Sequence, residues 1–309
     1  MRPQPATRRR SPARWLVRLL LLALLALPAT FAGAVGAAGA PRFDPPKRFN
    51  LVLGDSLAFG YQDAKFKAEL LGGTYNPADF TGYWAPFAAR LVAVRPGIQT
   101  VNLACPGETT VTFVDGGCFF HQVLPLHADY PSAESQLQAA LAFLGAHRGQ
   151  VSPITVSLGA NDLLQLLGAC EAESPTDPAA VAACANAGLP AVLATVQANL
   201  GAALTALRAA APESKIIVLQ PYNPYVALLP GSPAIAGALD AVLAQVAAGA
   251  RARPADGFSA VTAATVCTLT LICTPAQDVH PSDAGYQMLA AALWAASGYD
   301  RLAPDRTGP

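Results

Sequence analysis

Five short apolar runs, at residues 49–53, 100–104, 154–158, 215–219 and 258–261, constrain this chain more than any other feature. Each is too short for a core helix, and each ends near glycine or polar residues that turn the chain, so each reads as a strand. In the fourth run Ile216, Ile217 and Val218 follow one another without a polar face, which requires cover on both sides. Between the runs lie stretches with apolar residues at helical spacing: 83–94, 132–147 with Ser132 as its cap, 189–211, 234–250, and 282–296 with Ser282 as its cap. Strands alternating with helices predict an α/β protein, a three-layer α/β/α sandwich around a five-stranded parallel sheet, with the ligand site at the carboxyl ends of the strands. The connections 60–81, 106–130 and 169–187 are long and are expected to form walls or flaps of that site.

The first forty residues are a separate object. Arg2, Arg8, Arg9, Arg10, Arg14 and Arg18 precede an uncharged run over 19–40, and no acidic residue occurs before Asp44. That layout predicts a signal peptide over 1–34 cleaved near Ala34, a linker over 35–48, a catalytic-size domain over 49–300 and a tail over 301–309. The competing expectation is an uncleaved, membrane-anchoring segment. Without those six arginines the 20 basic and 20 acidic residues become 14 and 20, so the exported chain is acidic, with no basic excess to grip nucleic acid and no stable membrane span.

An even number of cysteines in an exported chain predicts disulfides. The six fall into close pairs, and proximity favours Cys105–Cys118, Cys170–Cys184 and Cys267–Cys273, each expected to staple loops.

Polar signatures mark the ends of three runs and the start of the last helix: Gly54-Asp55-Ser56-Leu57, Asn102 to Gly107, Gly159-Ala160-Asn161-Asp162, and Asp278-Val279-His280-Pro281. They bring a hydroxyl nucleophile, a histidine base and neutral donors for an oxyanion, which is the equipment of acyl transfer. In order and spacing these four blocks resemble those of the GDSL, or SGNH, hydrolase family, whose fold is flavodoxin-like. The resemblance implies that Ser56 attacks an ester carbonyl with His280 as general base, and that the Ser56 and Gly107 backbone N–H groups and the Asn161 side chain hold the oxyanion. It implies no metal and no organic cofactor. The family's usual acid lies three residues before the histidine, where this chain has Gln277; Asp278, two residues before, or a backbone carbonyl is left to orient His280.

Blander roles compete at each position. A serine after a buried strand is ordinarily a turn or helix cap, and Asp55 and Asp162 read as braces. His121, His127 and His147 read as surface turn histidines, and Trp84 as core. The expected partner is a small-molecule or lipid ester, with oligomeric state open. Besides an esterase or lipase, the same centre suits removal of acetyl groups from carbohydrate, and a silent envelope-bound binding protein is the alternative outside catalysis.

Overall fold

The computed structural model describes residues 45–229 and 231–302. The expected signal segment, most of the linker and most of the tail lie outside the described residues. Five strands, β1 (Phe49–Gly54), β2 (Gln99–Asn102), β3 (Val151–Ser157), β4 (Ile216–Gln220) and β5 (Arg253–Asp256), form one parallel sheet in the order β2-β1-β3-β4-β5. Every residue of β1 and β3 is buried, so the central strands carry the apolar runs that the sequence displays.

Period-two alternation assigns side chains to the two faces. Leu51, Leu53, Ile216 and Val218 join one apolar cluster with residues of α6 (Gln136–Ala146), α7 (Ala160–Glu173), α8 (Pro178–Ala210) and α9 (Ser232–Gly249). Val52, Ile217 and Leu219 join a second with α1 (Ser56–Phe59), α3 (Trp84–Val94) and α11 (Asp283–Ser297). The remaining helices are α2 (Asp63–Gly72), α4 (Thr110–Asp115), α5 (Phe119–Val123) and α10 (Val266–Leu269). Full burial of one such aliphatic side chain is worth about 1.5–3 kcal/mol, so a charge at Ile217 breaks the sheet's cover on one face.

The structure corrects several sequence expectations. The fifth strand is not 258–261 but Arg253–Asp256; it ends where Asp256 Oδ1 accepts the Phe258 and Ser259 N–H groups at 3.0 and 2.8 Å. As an edge strand it is partly exposed and tolerates Pro254, so apolarity does not reveal it. The helix expected from 132 begins at Gln136, because Ser135 and Gln138 form a capping box. Residues 169–187 are not a flap: α7 and the start of α8 occupy most of them, and the 33-residue α8 runs on through Pro190. The Cys170–Cys184 bridge therefore joins two helices rather than stapling a loop. The other bonded pairs are Cys105–Cys118 and Cys267–Cys273, and among the described residues no cysteine is free.

Candidate active site

The strand order reverses direction at β1, which has β2 on one side and β3 on the other, and the crevice above such a switch point is where ligands bind in open parallel sheets. Chain leaving β1 enters α1 at once. Gly54 has φ of +134°, and a Cβ there would lie 2.2 Å from the Ser157 carbonyl oxygen, so only glycine lets β1 and β3 meet this closely. Asp55 caps α1 by accepting the Leu57 N–H at 3.0 Å and also accepts the Ser157 hydroxyl at 3.0 Å. Burial pushes its carboxyl up to about 6 in spite of those bonds. Asp55 is thus a brace that fixes Ser56 at the first position of α1.

His280 comes from the turn before α11, and its Nε2 lies 2.9 Å from Ser56 Oγ across 224 residues of sequence. Its Nδ1 lies 2.6 Å from Asp278 Oδ1. The same Oδ1 accepts the His280 N–H at 3.1 Å, an Asx turn that folds a carboxylate two residues upstream back onto the ring. Oδ2 accepts the Asp63 N–H at 2.8 Å. Burial by itself raises the Asp278 carboxyl, but the hydrogen bond and charge of His280, together with the Asp63 and His280 amides, outweigh it and hold Asp278 below the usual carboxylate value. Gln277 is exposed, with φ of +48°, and it is Asp278 that bonds the ring.

Two aromatic residues complete the mount. Tyr61 packs its ring 4.8 Å from that of His280, and Tyr222 donates its hydroxyl to the Val279 carbonyl at 2.6 Å. The Asp63 N–H and the Tyr61 ring are contacts that sequence reading did not assign; the only hint was the proximity of Tyr61 to the GDSL block.

Asn161, in the first turn of α7, donates one amide N–H to the Glu108 carbonyl at 2.9 Å, and an amide nitrogen carries a second. Asp162 accepts the Thr110 N–H and hydroxyl at 2.9 and 2.6 Å, tying the first turn of α7 to the start of α4, which follows the loop after β2. Gly107 is in that loop, exposed, with φ of +83°. Ser56, Asn161 and His280 line one cavity with about 760 Å³ of space, open solvent at its mouth included, and Gly107 stands outside its lining. The cavity wall is largely apolar, with Leu163, Leu167, Tyr222, Tyr225, Ile235 and Leu239 from α7, α9 and the segment after β4.

The other histidines are packed rather than free on the surface. The His121 side chain is 6% exposed beside Asp129, and His147 packs on Phe49. His127 bonds the Phe59 carbonyl at 2.8 Å, and burial lowers its pKa. None of the three lines the cavity.

This sheet, with a serine, a histidine and a carboxylate in one hydrogen-bonded line at its switch point, has the architecture of a hydrolytic α/β enzyme. The chain belongs to the GDSL-like Lipase/Acylhydrolase family, which residues 52–288 match, and is an ester hydrolase. No curated protein matches its sequence. Among similar solved structures are an acetylxylan esterase from Geobacillus stearothermophilus (18% identity, TM-score 0.51, 83% of this chain and 97% of that one) and a lipase from a goat rumen metagenome (18% identity, TM-score 0.53, 82% of this chain and 99% of that one). At such identity both speak to the fold alone.

Proposed function

We propose that the chain is an exported serine esterase acting on carboxylic esters with an extended acyl chain. The observation that carries this reading is the line Asp278–His280–Ser56, with contacts of 2.6 and 2.9 Å, opening onto an apolar cavity. Ser56 Oγ attacks the ester carbonyl while His280 Nε2 takes its proton. The oxyanion is received by the free N–H of Asn161 and the backbone N–H of Ser56, both in the cavity lining, and by the Gly107 N–H that the family resemblance adds from the adjoining loop, which Asn161 bonds at Glu108. As the C–O bond to the alcohol breaks, His280 returns the proton to the leaving oxygen. Water, deprotonated by the same imidazole, then attacks the acyl carbon; as the C–Oγ bond breaks, His280 returns that proton to Ser56 Oγ, releasing the acid. Asp278 holds the imidazole with Nε2 toward serine and stabilises its protonated form.

Export is supported by the arginine cluster followed by an uncharged run and by three disulfides. An apolar cavity favours a longer acyl group over acetyl on a carbohydrate, and the assembled proton path argues against a silent binding protein. Ser56→Ala is expected to abolish hydrolysis of p-nitrophenyl butyrate with an unchanged melting temperature; retained turnover would overturn the assignment.

A further inference from the structure

Gln136 is a polar side chain buried to 1% exposure at the start of a helix that covers the sheet. Its amide is used three times. Oε1 accepts the Gly54 N–H at 2.6 Å, and Nε2 donates to the Gly54 carbonyl at 3.0 Å and to Glu108 Oε2 at 2.7 Å. Glu108, fully buried, continues the path, because its own carbonyl accepts the Asn161 side chain. One network therefore joins Gly54, two residues before Ser56, to Glu108, the residue after Gly107, and to Asn161.

Those three segments leave three different strands, and no short covalent link holds them together. Oxyanion donors help only when held within about 0.5 Å of their productive positions, so the three segments need cross-links. A buried amide and carboxyl are costly compared with apolar residues of the same size, and such breaches of the apolar-core rule concentrate at functional sites. We propose that Gln136 and Glu108 are positioning residues, which lock the Ser56, Gly107 and Asn161 segments in one register so that the oxyanion donors converge. This rests on the serine esterase reading above. Burial pushes the Glu108 carboxyl up to about 7 despite the hydrogen bonds of Thr112 and Gln136, so glutamine is an isostere of its neutral form.

The test is steady-state kinetics on p-nitrophenyl butyrate, with inhibition by butaneboronic acid as a tetrahedral mimic, for Q136L, E108L, E108D and E108Q. Loss of alignment acts on the transition state, so Q136L and E108L should lower kcat by about 10–100-fold, with KM within about threefold, and weaken the boronate by a similar factor. E108D, one methylene short of Gln136, should lose about tenfold in kcat, whereas E108Q, which still offers Gln136 an acceptor, should stay within about threefold of the parent. If the leucine variants fail to fold, as judged by thermal melts, the E108D and E108Q pair decides alone. Parental kcat in E108D, a loss in E108Q as large as in E108D, or a change confined to KM would overturn the positioning role. Hydrolysis surviving in Ser56→Ala would instead overturn the underlying mechanism, so the two failures are distinct.

Discussion

Acyl length is the sharpest consequence of the cavity beside Ser56. Replacing p-nitrophenyl acetate by the hexanoate adds four methylenes, each worth about 0.8 kcal/mol if it leaves water for an apolar wall. Complete burial in the transition state would contribute about 3 kcal/mol, or about a 200-fold rise in kcat/KM, and partial burial proportionately less. Leu167 lines the cavity more than one helical turn beyond Asn161 on α7, so Leu167→Trp should fill its far end without touching the reacting groups. The hexanoate-to-acetate ratio, measured from initial rates of nitrophenolate release, is expected to fall by about tenfold or more in that variant, with acetate itself little changed. Acetate turned over by the parent enzyme as well as hexanoate would refute the acyl-pocket reasoning, and so would an equal loss on both esters in Leu167→Trp.

Other perturbations address the support of the site. Asp278→Asn removes the charged acceptor at His280 Nδ1 and should lower kcat by about 10³-fold or more, read from the same assay; a loss below tenfold would mean that a backbone group orients the ring. Asp55 is raised by burial to about 6, so the folded state holds its proton through a range where the unfolded chain has released it. Stability from this group is therefore lost as pH rises from about 4 to about 6, by about 3 kcal/mol. Asp55→Asn should gain in melting temperature relative to the parent across that window, and a pH-independent difference would contradict the buried, neutral carboxyl.

The parts of the fold that sequence reading reached are those governed by local pattern. β1, β3 and β4 are buried on both faces and read as apolar runs, and Ser282 caps α11 as its position before an apolar-periodic stretch implied. β5 escapes a reading by pattern because an edge strand needs no apolar run, and the first eleven residues of α8 escape it because 178–188 is small-residue sequence without a continuous apolar face. Gly188 lies inside α8 against the Leu166 side chain of α7, whose tip a Cβ there would displace. In the site, the acid was ambiguous because an Asx turn, invisible as a motif, decides that Asp278 and not Gln277 meets the ring. Gln136 and Glu108 left no trace at all, since the contacts that engage them span 82 and 28 residues.

The central claim is that Ser56 is a nucleophile activated through His280, and covalent trapping tests it most directly. A fluorophosphonate probe with an alkyl arm, followed by intact-mass and peptide mass spectrometry, should add one phosphonyl group per chain, on the peptide containing Ser56, at the rate at which ester hydrolysis disappears. His280→Ala should slow that reaction severely. Full hydrolysis persisting in protein labelled at Ser56, or inactivation with the adduct on another residue, would contradict the mechanism.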